Sequence, residues 1–343
     1  MLYYYALLYY NINLKQIKTM KKIHLISTLI GLLVFSTISK ADLKVVTSIK
    51  PIHSLASYIM DGVGSPGLIV DGYNSPHSFQ LKPSHAKMLE QADIIFWIGE
   101  DLENFLEKPL ATIAKKAEKI ELLEIKGIKK LKFRERNIFE EHEGHDDHGD
   151  DAKKEEHDDH GHDAKKDEHD DHEGHGHGEY DPHIWLDPIN AKVILNEITE
   201  HLIEDDSKNT ATYKSNLAKA LAKIDKLIID VITETNTDLS YVVFHDAYQY
   251  YENRFNVNIL GAMTVNPDVM PGAEQIHEIH EVIEHDNVNC ILSEPQFNPD
   301  IIKSIAKDTS VKTGVLDPLG ANLKSGKDLY FDLIKNMSAS FNC

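Results

Sequence analysis

Apolar residues in this chain gather into short runs set between polar segments, and the runs follow two periods. LKVVTS (43–48), PGLIV (66–70), DIIFWIG (93–99) and KIELLE (119–124) are brief and strongly apolar, which predicts buried strands. Between them, PIHSLASYIM, with Pro51 at its start, and PSHAKMLEQA (83–92) carry apolar residues at helical spacing. Strands alternating with helices predict a parallel α/β layer.

The pattern stops near Glu140. From there to Glu179 the chain holds only Asp, Glu, His, Gly, Lys and two Ala, with an imperfect repeat, DDAKKEEHDDHGHDAKKDEHDDH. Such a tract buries too little apolar surface to offset the entropy of ordering, so disorder without metal is predicted over 140–179.

Order returns at Tyr180. Residues 188–205 predict one helix and 208–236 a much longer one, in which Tyr213, Leu217, Leu221, Ile224, Leu227, Ile228, Val231 and Ile232 recur at helical spacing with no Gly or Pro between them. At 1.5 Å per residue it spans roughly 40 Å, a rod suited to joining two lobes. Beyond it YVVF (241–244), NILGAM (258–263), CILS (290–293) and VKTGVL (311–316) predict strands, with helices at 272–286, 299–308 and 327–340. The expected fold class is α/β, with two parallel-sheet lobes facing each other across a cleft. The first covers 42–207, a rigid connecting helix 208–236, and the second 237–343.

The 343 residues are 41% hydrophobic, enough for a substantial core. Lys+Arg of 36 against Asp+Glu of 56 gives a net charge of −20, which disfavours nucleic acid and anionic membranes as partners, because phosphates are repelled. The chain opens with an export signal over 1–41: the basic segment at Met20-Lys-Lys-Ile-His, the apolar run LISTLIGLLVFSTI, then small Ser39 and Ala41 at cleavage spacing. The apolar run is short for a spanning helix, which makes a permanent N-terminal anchor the lesser reading beside a cleaved signal. Residues 1–19 do not fit such a signal, which points to Met20 as the start of translation. No Cys lies near the cleavage site to carry a lipid, so a soluble periplasmic protein, a monomer, is expected. An oxidising compartment favours a structural disulfide between Cys290 and Cys343 over two free thiols. Closing that loop is worth about 4 kcal/mol in the chain-entropy model.

Twenty histidines change the picture, ten of them between His142 and His177. Transition-metal chemistry is the first expectation, with the 140–179 tract as a weak collector of ions or as a solvated, self-repelling loop. Four candidate ligands lie in loops outside it: His77 after PGLIV, His183 in Asp181-Pro-His, His245 directly after YVVF, and Asp317 after VKTGVL. In open α/β sheets ligands bind beyond the carboxyl ends of strands. The separations are too long for a local motif, so for any one of these histidines a structural hydrogen bond is an equal reading. His277, Glu281 and His285, with His280 and Glu284, sit at four-residue spacing on one predicted helix and read as a solvated face. His53, His85 and His201 read as surface or structural.

The strings PHSFQLKPSHAKMLEQADIIFWIG, DPHIWLDP, FHDAYQYY, MTVNPDVMPGAEQIHEI, SEPQF and LDPLG, in this order, resemble the metal-receptor class of ABC-importer solute-binding proteins, and within it the ZnuA-type periplasmic zinc-binding members. The resemblance covers nearly all of 43–343. It implies two lobes joined by a long rigid helix, small lobe rearrangement on binding, and a His-rich loop before the second metal histidine. It also implies a metal site of His77, His183 and His245, with Asp317 or water in the fourth position. Some zinc members place an acidic residue just before the first histidine; here that place is Pro76, which has no ligating side chain. Three imidazoles match tetrahedral zinc, whereas manganese favours carboxylate and water. The function implied is capture of Zn²⁺ and delivery to a membrane ABC permease, without enzymatic activity. The alternatives are a manganese receptor of the same class, a zinc-dependent hydrolase or hydratase using Asp317 or Asp246 as base, and a surface adhesin.

Overall fold

Val45–Ile49 is buried along its whole length and forms β1, as an inner strand of a parallel sheet must. The computed structural model describes residues 42–134, 136–139, 178–267, 269, 271–307 and 309–343. The export-signal segment 1–41 lies outside the described residues, as does the His-rich tract apart from residues 178 and 179. β1 pairs with β2 (Gly67–Val70) on one side and β3 (Ile94–Trp97) on the other, and β3 carries β4 (Glu118–Glu121), all parallel. The connections run through α1 (Lys50–Ile59), α2 (Pro83–Gln91) and α3 (Glu100–Thr112). Pro51 and Pro83 stand in first turns, where the missing N–H breaks no helical bond.

Two long helices follow, α4 (Pro188–Asp205) and α5 (Thr210–Glu234), packed on each other and on α1. The 25 residues of α5 span about 38 Å. The second lobe then repeats the plan of the first. Its strands are β5 (Ser240–His245), β6 (Asn258–Thr264), β7 (Cys290–Ser293) and β8 (Lys312–Val315), parallel in the order β6-β5-β7-β8. Helices α6 (Gln249–Phe255), α7 (Ala273–His285) and α8 (Asp300–Ala306) lie in its connections. The last helix, α9 (Leu329–Ser340), returns to pack on α1 and α5. There the Tyr330 backbone N–H donates to Ser54 Oγ at 2.9 Å. A disulfide joins Cys343 to Cys290 at the start of β7. No helix among the described residues is long and apolar enough to cross a membrane.

One apolar cluster runs through both lobes, from Val45 and Ile95 through Leu195, Ile224 and Val231 to Tyr241, Tyr330 and Phe341. β5 shows the strand period: Tyr241 and Val243 face this cluster, while Val242 and Phe244 face a smaller one beneath α7 and α8. The edge of the second sheet is covered by the segment 136–139, whose Asn137 carbonyl accepts from Ala262 N at 2.8 Å and whose Phe139 N donates to Leu260 O at 2.9 Å. Gly261 permits this approach, since a Cβ there would stand 2.7 Å from the Asn137 carbonyl.

The parallel sheets and the long helix agree with the sequence pattern, while α3 and α6 do not appear in it. In α3, Leu102, Leu106 and Leu110 are buried at four-residue spacing, but acidic residues, Pro109 and a non-helical Glu103 interrupt the signal. α6 is seven residues, too short for a helical period to show.

Candidate metal centre

Each of the three candidate histidines is positioned differently. His245 is the last residue of β5, at the carboxyl edge of the second sheet. His183 stands just before a 3-10 turn, Ile184–Leu186, that leads into α4. That helix is started by Asp187, which accepts from Ile189 N at 2.8 Å and is gripped by Arg254 of α6 through two 2.7 Å bonds. His77 lies in the loop after β2, its N–H donating to Ser75 Oγ at 3.3 Å.

The structure brings the three together. One ligating nitrogen from each lies within 4.8 Å of the other two. The ring centroids are 5.5, 5.5 and 5.2 Å apart, and the Nε2 atoms of His183 and His245 are separated by 3.3 Å. His183 and His245 are each 3% exposed, while His77 is half-buried. The pocket they line has a free volume of about 10 Å³, on the scale of one water or one ion rather than an organic ligand. Among the described residues this is the one cluster of three His, Cys, Asp or Glu side chains at such spacing.

Asp317 is not brought into the cluster. Its Oδ1 accepts from Gln296 Nε2 at 3.0 Å, Leu319 N at 3.1 Å and Gly320 N at 2.9 Å, and its Oδ2 accepts from Ala321 N at 2.6 Å. The carboxylate thus organises the loop whose Pro318 and Leu319 line the pocket. Gly320, at φ +70°, supplies the left-handed turn this loop requires. Among the other histidines, His85 Nδ1 accepts from Lys82 N at the start of α2, and His201 lies between Glu118 and Glu197. His277 pairs with Glu281 at 3.5 Å on the exposed face of α7.

Two buried carboxylates back the cluster. Asp181 Oδ1 lies 2.7 Å from His183 Nδ1, and Glu294 Oε1 lies 2.6 Å from His245 Nδ1. Asp181 is itself fixed, because its carbonyl accepts from Tyr250 Oη at 2.8 Å. Nearby, Arg134 joins Asp246 at 3.1 Å and Glu252 at 2.8 Å. Burial, and then the neighbouring His245, hold the His183 imidazole well below its ordinary pKa, so it is neutral and able to coordinate. Burial pushes the Asp181 carboxyl up to about 7, against the His183 backbone N–H, which favours the anion. Burial likewise pushes Asp246 up to about 7, against the Arg134 charge. The roles of Asp181 and Glu294 are absent from the sequence reading, although both residues stand in strings quoted there. The signal within reach was local in Asp181-Pro-His183, while Glu294 meets a histidine 49 positions away.

The family profile ZnuA, zinc-uptake complex component A, periplasmic, matches residues 45–342. The high-affinity zinc uptake system protein ZnuA of Brucella abortus (strain 2308) is 45% identical over 303 residues, covering 86% of this chain and 90% of that protein. Among solved structures, a crystal structure of ZnuA superposes with a TM-score of 0.66 at 20% identity, covering 88% of this chain and 100% of that one. A mutant structure of the laminin-binding adhesin Lmb of Streptococcus agalactiae superposes at 0.67 and 21% identity, covering 88% and 98%. At such identities these two likenesses concern the fold.

Proposed function

This chain belongs to the ZnuA family of periplasmic zinc-uptake components, and we propose that it captures one Zn²⁺ at His77, His183 and His245 and passes it to a membrane ABC permease. It is a periplasmic solute-binding protein of zinc uptake. One distance supports the ligand set above all. Tetrahedral Zn–N bonds of about 2.0–2.1 Å put neighbouring nitrogens about 3.3–3.4 Å apart. The Nε2 atoms of His183 and His245 stand 3.3 Å apart.

Water takes the fourth position, since four N–H donors already engage Asp317. The ion-sized pocket favours a receptor over a hydrolase, which would need room for an organic substrate. The three nitrogen donors favour zinc over manganese. The protein acts as a monomer that carries its ion through the periplasm.

Replacing His245 with Ala tests the ligand set. Chelator-competition titration of the wild-type protein is expected to give one tight zinc site that excess Mn²⁺ does not displace, and H245A is expected to lack it. A tight site of unchanged affinity in H245A would defeat the assignment.

A further inference from the structure

We infer that Asp181 and Glu294 are positioning residues that set the metal preference of the centre, by holding one proton on Nδ1 of each buried imidazole while keeping their own oxygens out of the coordination sphere. This holds only if the three imidazoles are the ligands, and it adds to that assignment a reason why nitrogen alone is offered.

The arrangement is the same at both histidines. One carboxylate oxygen meets the ring Nδ1, at 2.7 Å for Asp181 and His183 and at 2.6 Å for Glu294 and His245. The same oxygen accepts the main-chain N–H of that histidine, at 2.9 Å in the first case and 3.4 Å in the second. The oxygen that meets each ring already accepts a main-chain N–H and offers its other lone pair to Nδ1, so it serves as acceptor even when the far oxygen carries a proton, and Nδ1 is the donor. Each ring is therefore anchored to its own backbone through one oxygen, and Nε2 is left bare. The two bare nitrogens then face each other across 3.3 Å, lone pair towards lone pair, which a cation between them relieves.

The cost to the fold is visible. Asp181 and Glu294 are 1% and 3% exposed; Asp181 Oδ2 has no hydrogen-bond donor among the described residues, and beside Glu294 stands the Tyr248 hydroxyl, which donates to the Leu316 carbonyl at 3.2 Å. A buried acceptor left without a donor is destabilising. An arriving dication gives both carboxylates a purpose, because two anions one imidazole away compensate its charge and strengthen the ring nitrogens as ligands. Mn²⁺, Mg²⁺ and Ca²⁺ prefer oxygen. The centre supplies negative charge without presenting oxygen, which favours zinc.

The test uses the full chain carrying Asp181→Ala, Asp181→Asn, Glu294→Ala or Glu294→Gln. Nitrogen-15 shifts of the two imidazoles in metal-free protein report the tautomer independently of zinc, and competition titrations give the Zn²⁺ and Mn²⁺ affinities. Wild-type protein is expected to hold both rings with the proton on Nδ1. Each Ala variant should release its own histidine into a tautomer mixture, lose about 10–100-fold in zinc affinity, and narrow the preference for zinc over manganese. The Asn and Gln variants, whose amide oxygen accepts the same proton without charge, should keep the tautomer and lose less. If the Ala variants fail to fold, the amide variants decide alone: a weaker zinc site with the tautomer kept supports the inference, and unchanged affinity overturns it. Folded Ala variants with the wild-type tautomer and affinity overturn it as well. Tight zinc binding in His77→Ala would instead defeat the three-imidazole assignment itself, which separates the two failures.

Discussion

Glu103 shows how strongly this fold handles a single charge. It is fully buried, its Oε2 accepting from Ile98 N at 2.8 Å and Gly99 N at 3.1 Å, and burial pushes its carboxyl from 4.5 to about 7. Folded protein thus keeps this proton at pH values where unfolded chain has lost it, so the Glu103 contribution to stability falls as pH rises from about 4.5 to 7. The loss is on the order of 3 kcal/mol once the group is ionised. Glu103→Gln keeps an oxygen for both N–H groups and has no proton to lose. Relative to wild type it is therefore expected to gain stability between pH 5 and pH 8. Urea unfolding at the two pH values checks this, and parallel profiles for the two proteins would contradict it. At this scale the sequence was readable where chemistry and position coincide, as at His245, a histidine ending an apolar run. It was silent at Glu103 and at Arg134, because their value depends on burial and on neighbours far along the chain.

Among the elements, the loop 317–321 repays attention because it stands where a ligand was expected. Asp317→Ala removes the acceptor for three backbone N–H groups and Gln296. It is expected to cost about 1–3 kcal/mol of stability, read as a lower melting temperature, while the zinc affinity of the folded protein falls less than in H245A. A loss of zinc binding equal to that of H245A would make Asp317 a ligand after all. The rule that carboxyl ends of strands carry function located this loop, but which way a carboxylate turns depends on the backbone around it, and apolar periodicity does not encode that. Strands and long helices were legible because burial on a sheet or along a stripe imposes a regular pattern. α3 and α6 were not, since one is broken by Pro109 and a non-helical Glu103 and the other completes barely two turns.

For the whole molecule, the long helix and the shared packing constrain how the lobes move. α5 packs on α1, α4 and α9, and α9 returns from the second half of the chain to the first lobe. Small rearrangement on binding is therefore expected. Solution scattering of protein lacking residues 140–179, with and without zinc, should give nearly superimposable curves, and a large compaction would argue for a wide hinge. Two lobes were foreseeable from the repeated alternation of strand and helix, whereas the return of α9 was not, because chain order alone assigns it to the second lobe.

The apolar cluster that runs through both lobes has a thermal consequence. A core shared in this way couples the halves, so they are expected to come apart on heating in one event. If the proposed ion is held where they meet, the cohesion of the entire body shields it, and endurance on heating and retention of cargo are expected to be linked properties.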